Sequence, residues 1–418
     1  MLNDIKVFKV LKDLKEEKTI AKKRVKLHGI ILSAALLLAV ACGKHEPAAD
    51  NPSPAPPVQE EPETPEGYVS TDFSADGKVT VLQRASEGSG IDIVLMGDGY
   101  SDRMIADGTY DRMMRFAADC FFAEEPFASF RHLFNVYAVT LVSRTETVGE
   151  KWSDTALDVE FEEDSTVISG DDDACFIYAQ QVPELRGNIG RLNELVVVVV
   201  VNRIRWAGTC YPYGPYSVAD GQTILDGDYG RGLSITYSAY TDLDDLRYTI
   251  THEAAGHGFA KLADEYYEDG TTVSQEDKSY YTYLQNYGYW RNIDFSGSVA
   301  NCAWFDYIAD ARYAGSGTGY YEGGAYAQYG VWRSSRQSLM LYTEGGFNTI
   351  SREAAYRRIH KLAYGDTWRF DREKFVEYDL RNIGTAKRAD AGCPTIHREP
   401  LPRPRMIDRG RVNLKNAN

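Results

Sequence analysis

The run His252-Glu253-Ala254-Ala255-Gly256-His257 holds the residue types that bind a catalytic metal and activate its water. Neutral imidazoles ligate zinc, and a carboxylate beside the first of them is placed to take a proton from water. In the familiar zinc helix the two histidines stand four apart, one turn from each other on one face. Here they stand five apart, with three small residues after the glutamate. On a regular α-helix side chains at that spacing diverge. A π-turn repeats at i→i+5 and returns them to one face, and such turns cluster at functional sites. Ala254, Ala255 and Gly256 leave room for it, and glycine eases the distortion. The spacing therefore predicts a π-bulge between Glu253 and His257. A straight α-helix with the imidazoles pointing apart would contradict a metal site.

Other chemistries have less support. No GxSxG elbow is present, and no cysteine sits in a recognised nucleophile context. The valine-rich strand is not followed by GxGxxG, so a dinucleotide cofactor has no footing. Among the remaining histidines, His132 reads as a structural residue before a strand. His360 reads as a solvated position on a helix, and His397 falls in a Pro- and Arg-rich tail. The acidic runs Glu160–Asp164 and Asp171–Asp173 lack the calcium-loop pattern and read as solvated faces rather than calcium sites.

The elements that must position the motif follow from periodicity. Leu243, Leu246, Ile250, Ala254, Phe259 and Leu262 recur at helical spacing, with Thr241 as N-cap and Asp244 in an acidic first turn. Val79–Leu82 reads as an edge strand, and Ile91–Met96 as a strand ending in the turn Gly97-Asp98-Gly99-Tyr100. A helix is expected over 103–119 and a strand over Val136–Val142. The unbroken run from Leu195 to Val201 is the pattern of a strand buried on both faces. Leu233–Tyr237 reads as a further strand near the sheet edge. Strands alternating with helices indicate an α/β sheet.

Downstream of the motif the chain continues Gly258-Phe259-Ala260-Lys261-Leu262-Ala263-Asp264-Glu265-Tyr266. Here the sequence resembles the M64 metallopeptidases, a family with members that cleave immunoglobulin A. A second matching block runs through Glu322-Gly323-Gly324, Tyr329–Arg333, Ser338-Leu339-Met340, Phe347-Asn348 and Ser351–Ala354. The strand Ile91–Met96 with its turn is a third. The resemblance spans about residues 88–365. It implies an α/β, zincin-like (metzincin-like) catalytic domain with a mixed twisted sheet, an active-site helix and a loop-rich C-terminal subdomain. It implies Zn2+ held by His252 and His257, with Glu253 as general base. Asp264 would be the third ligand, with Glu265 its rival. Met340 falls where a Met-turn would underlie the metal, a place equally suited to a plain core methionine. Tyr266 is either a donor to the oxyanion or a residue packed beneath the helix. Residues 279–333, dense in Tyr and Trp, would wall the cleft.

The 418-residue chain is 43% apolar and 26% charged, ordinary for a globular protein, with 29 tyrosines. A formal net charge of −15 argues against a nucleic-acid role, which needs a basic footprint. Lys22, Lys23, Arg24 and Lys26 precede a short apolar run, Gly29–Val40, that ends in Ala39-Val40-Ala41-Cys42-Gly43. This reads as a lipoprotein signal over 1–41, with the lipid on Cys42 and the protein exported to the outer membrane or cell surface of a Gram-negative bacterium. A Pro- and Glu-rich tether is expected over 42–66, a short strand region over 67–87, the catalytic domain over 88–370 and an extension over 371–418. With Cys42 acylated, five of six cysteines remain. None lies in a CxxC pair, so thiolate zinc ligation is not indicated.

The expected function is therefore a zinc endopeptidase acting on extracellular proteins. A non-catalytic surface lipoprotein that binds protein or glycan is the alternative. An amidase acting on cell-wall or small peptides is a third reading.

Overall fold

The computed structural model describes residues 67–150, 152–213, 229–341, 345–383 and 405–407. The expected signal, Cys42, the tether 42–66, His397 and most of the extension 371–418 lie outside these residues.

Thirteen strands are present among the described residues. They are β1 (Val79–Gln83), β2 (Ile91–Asp98), β3 (Phe134–Val139), β4 (Glu160–Phe161), β5 (Ile168–Ser169), β6 (Val196–Ile204), β7 (Ala207–Pro212), β8 (Ser234–Tyr240), β9 (Tyr267–Thr272), β10 (Ile293–Asp294), β11 (Tyr321–Gly324), β12 (Tyr326–Arg333) and β13 (Arg405–Met406). Seven of them build one mixed sheet in the order β1-β3-β2-β6-β8-β7-β13. The centre, β3-β2-β6-β8, is parallel, while β1 and β7 run antiparallel to their inner neighbours.

The valine run lies on β6 in the middle of this sheet, and alternation sends its side chains both ways. Val196, Val198 and Val200 join a core with Ile93, Leu95, Leu246, Ile250, Phe259 and Ile359. Val197, Val199 and Val201 join a second core on the opposite face with Val94, Met96, Tyr211 and Tyr237. Each fully buried valine contributes roughly 1.5 kcal/mol or more of apolar transfer. The strand anchors both layers, which is why it reads as continuous rather than alternating.

The site-bearing layer is helical. It comprises α1 (Asp102–Ala106), α2 (Thr109–Phe121), α3 (Leu243–Ile250) and α4 (Thr349–Tyr364). The single helix expected over 103–119 is split, because the chain turns at Gly108 with φ of 78°. The turn after β2 is held by Asp98. Its buried carboxylate accepts from Thr155 Oγ1 at 2.7 Å, Leu157 N at 3.0 Å and Ser143 Oγ at 3.2 Å.

Three further expectations are corrected. The strand around Leu233–Tyr237 is not near the edge, because β7 and β13 lie outside it. Gly208, Cys210 and Pro212 gave β7 too weak a strand pattern to be noticed. The aromatic stretch 279–333 is largely core rather than cleft wall. Tyr280, Tyr289 and Trp290 pack with Ile293 and Val331 around a small sheet of β9–β12, and Trp304, Tyr307 and Tyr313 pack with Ile350 and Phe375. His360 is buried rather than solvated. Its ring stacks 3.9 Å from that of Tyr356, and its Nδ1 meets Tyr356 O at 2.8 Å.

Candidate metal centre

The helix carrying the motif starts one residue later than expected. Asp242, not Thr241, is the N-cap, and its carboxylate accepts from Asp245 N at 2.9 Å. The α3 helix then passes without a break into a π-helix over Thr251–Phe259. The π-turn that the spacing predicts is thus present, and it extends through nine residues.

Two close approaches explain why small residues line this helix. A Cβ on Gly256 would lie 2.6 Å from Met340 Sδ, so the methionine packs directly on the helix backbone. A Cβ on Gly208 of β7 would lie 2.4 Å from Thr249 Cγ2 and 3.3 Å from Glu253 Oε1. Strand β7 therefore runs flush against the helix at the glutamate.

The wider π repeat brings His252 Nε2 and His257 Nε2 to 3.1 Å. Asp264 follows the helix and completes a triangle, its Oδ1 standing 3.3 Å from His252 Nε2 and 3.2 Å from His257 Nε2. This trio is the only group of three or more His, Cys, Asp or Glu side chains arranged to hold an ion among the described residues. The four described cysteines, Cys120, Cys175, Cys210 and Cys302, are buried and form no disulfide with one another.

Each imidazole is oriented from behind. His252 Nδ1 meets Leu339 O at 3.0 Å, and His257 Nδ1 meets Leu262 O at 2.7 Å. A carbonyl only accepts, so Nδ1 carries a proton in both rings, and Nε2 is the atom each ring turns inward. Tyr248 Oη also lies 3.3 Å from His252 Nδ1. Asp264 is oriented by Tyr326, whose hydroxyl donates to Oδ2 at 2.6 Å, while Oδ1 has no hydrogen-bond partner. Asn292 clamps the segment, accepting from Ala263 N at 2.9 Å and donating to Ala263 O at 2.8 Å.

Asp264 and Glu265 have separate surroundings. The Glu265 carboxylate accepts from Ser338 Oγ at 2.7 Å, Asn348 Nδ2 at 2.9 Å and Asn292 Nδ2 at 3.0 Å. It ties the second sequence block to the end of the helix, and its lone pairs are spoken for. Met340 is fully buried against Gly256, and its carbonyl accepts from Glu265 N at 2.8 Å. Tyr266 packs edge-on against Tyr326, with ring centroids 5.1 Å apart.

Tyr326, Tyr248 and the carbonyls of Leu339 and Leu262 had no place in the sequence reading. Tyr248 sits one turn before His252 and was discoverable from helical spacing. Tyr326 lies 62 residues beyond Asp264, and only the preceding Gly323-Gly324 marks the sharp turn that delivers it.

The electrostatics are those of a closed centre. His252 and His257 are each 1% exposed, and Glu253 and Asp264 are 0% exposed. Burial pushes the Glu253 carboxyl well above its ordinary range. The amide of Cys210 offsets this only in part, and neither carboxylate oxygen has a hydrogen bond of ordinary geometry. Burial also opposes charge on His257, but Asp264 beside it raises that imidazole to about 9. Burial opposes charge on Asp264 too, and the two imidazoles nevertheless hold its carboxyl well below the usual range. His252 is lowered by burial.

The outer edge of β7 is taken by β13, which pairs parallel with Thr209 and Cys210. Ile407 N donates to Cys210 O at 2.9 Å, and Met406 N reaches Tyr326 Oη at 3.4 Å.

A comparison with curated proteins gives no match. The family model for IgA peptidase M64 matches residues 79–308, from β1 through the motif helix and past Asp264. That span is more than half of the chain, so the protein belongs to the M64 peptidase family.

Proposed function

We propose that the protein is a zinc-dependent endopeptidase of extracellular proteins, with the ion held by His252, His257 and Asp264. The observation that carries this reading is the inward triangle of two Nε2 atoms and one carboxylate oxygen, with edges of 3.1 to 3.3 Å. Tetrahedral zinc, with bonds of about 2.0 to 2.1 Å, sets its ligand atoms about 3.3 Å apart. Asp264 Oδ1 is buried without a hydrogen-bond partner, which a cation would remedy. The donor set also has the composition of a catalytic rather than a structural zinc site, with three protein ligands and no thiolate.

When bound, zinc supplies a Lewis acid for the scissile carbonyl and lowers the pKa of the attacking water. The remaining work falls to the chain. Glu253, whose burial strengthens its hold on a proton, takes the water's proton and passes it to the leaving amine. Leu339 O and Leu262 O hold the two imidazoles in the tautomer that presents Nε2. Tyr326 fixes the rotamer of Asp264.

Digestion of casein by the zinc-loaded protein and by Glu253→Gln tests the reading. Cleavage that disappears in the variant while zinc is retained supports it. Equal cleavage by both would remove Glu253 from the role of base. The lipid anchor on Cys42 is proposed from the basic and apolar run before it. The variant Cys42→Ala is expected to move the protein to the soluble fraction, and unchanged membrane association would count against the anchor.

A further inference from the structure

A cavity of about 480 Å³ lies beside the candidate centre, within the usual size range of ligand pockets. Tyr248 and Leu339 form part of its lining, and the same two residues hold His252 Nδ1 through a hydroxyl and a carbonyl. Tyr248 and Leu339, with the His252 ring they hold, therefore stand between the cavity and the metal triangle. A peptide whose scissile bond lay at the triangle would have a neighbouring side chain within reach of this space.

The charges around the cavity are unequally committed. Arg352 is bound to Asp379 Oδ1 at 2.6 Å and to the Phe347 carbonyl. Glu125 is bound to Ser129 Oγ at 2.9 Å and Tyr378 Oη at 2.8 Å. Arg247 points along the Phe116 ring, 5.8 Å from its centroid, on the exposed side of α3. Glu124 is different. It is half-buried in the cavity lining, and its carboxylate makes no hydrogen bond or ion pair with any described residue. Burial raises its carboxyl to about 7, with Arg352 opposing the shift. A half-buried carboxylate left without a partner is costly, and a cation entering the cavity would relieve that cost.

We propose that this cavity receives the substrate side chain next to the scissile bond and that Glu124 selects a lysine or arginine there. The inference rests on the metallopeptidase reading and adds its substrate class. Glu124 acts on specificity, through the bound side chain, and takes no part in the bond-breaking step.

The test uses the full-length, zinc-loaded protein and peptides that differ only at the positions flanking the scissile bond, with Lys, Gln or Glu there. The quantity read is the Lys-to-Glu ratio of kcat/KM within each variant, so that a general loss of activity cancels. At pH 8 the wild type is expected to favour Lys by about ten-fold or more. Glu124→Gln should bring the ratio close to one, and Glu124→Lys should invert it. The wild-type preference should shrink at pH 6, where Glu124 is protonated, while that of Glu124→Gln stays flat. Glu125, Asp244, Arg247 and Arg352 also line the cavity, and the flat profile of Glu124→Gln separates Glu124 from them. Cleavage that depends on Glu253 but shows the same ratio in wild type and Glu124→Gln overturns this inference alone. Absence of any Glu253-dependent cleavage overturns both this inference and the reading on which it rests.

Discussion

Gly256→Ala sets two opposing effects against each other at the centre of the motif. On propensity alone, alanine in a helix interior is better than glycine by about 1 kcal/mol. The structure predicts the opposite sign. The added Cβ would stand 2.6 Å from Met340 Sδ, 3.1 Å from its Cε and 3.4 Å from Phe347 Cε1. The sulfur must retreat by roughly 1 Å into a core where Met340 is fully buried. Overpacking of this kind costs about 1 to 3 kcal/mol, which leaves a net destabilisation of up to about 2 kcal/mol. The expected reading is a Tm lowered by a few degrees in differential scanning calorimetry. Displacing Met340 also moves its neighbour Leu339, whose carbonyl orients His252, so zinc affinity should fall by about ten-fold in a chelator competition. In a Met340→Ala background the clash is gone, and the cost of Gly256→Ala should vanish, a coupling of about 1 kcal/mol or more. A rise in Tm on the wild-type background would refute the packing argument, since propensity would then be acting alone.

Other outcomes follow from the same geometry. Tyr326→Phe removes the donor to Asp264 Oδ2 and should weaken zinc binding by about 10- to 100-fold without unfolding the protein. Unchanged affinity would make that hydrogen bond irrelevant to the centre. Glu265→Ala strips three donors, two of them buried, of their acceptor and should lower Tm by more than any single change at the cavity, yet leave one zinc per folded chain. Loss of zinc with an unaltered Tm would restore Glu265 as a ligand. Glu124 has a folded pKa of about 7 against an ordinary 4.5, so the fold holds its proton more tightly than the unfolded chain does. Stability from this group is complete below about pH 4.5 and is lost as pH rises through 7. Glu124→Gln should therefore be more stable than wild type at pH 8, on the order of 2 kcal/mol, with the advantage fading toward pH 5 in a pH series of thermal melts. A constant difference across that range would contradict the burial of its charge.

Much of the architecture was legible because it rests on local pattern. The valine run announced a central strand, and the five-residue spacing of His252 and His257 announced a local π-bulge, which the structure extends to a π-helix over Thr251–Phe259. What stayed hidden was set by distant contacts. Nothing local in Ala207–Pro212 marks it as the strand beside Glu253, because Gly208 serves the close approach to the helix rather than strand propensity. His360 looks solvated among basic neighbours until Tyr356 and Trp368 close over it. Asp264 and Glu265 are adjacent in sequence and chemically alike. Only the placement of Tyr326, Ser338, Asn292 and Asn348 distinguishes a carboxylate with one uncommitted oxygen from one that is fully engaged. The tyrosine-rich stretch suggested a recognition surface, but most of its rings fill cores, where their area does more than their hydroxyls.

The proposed zinc site draws His252 and His257 from one π-helix and Asp264 from the segment that follows it. A zinc titration of metal-free wild type, His257→Ala and Asp264→Ala, followed by calorimetry at fixed pH, addresses it directly. One tight site per wild-type chain is expected, with affinity lower by orders of magnitude in both variants. Zinc that fails to bind the wild type, or that binds all three proteins alike, would contradict it.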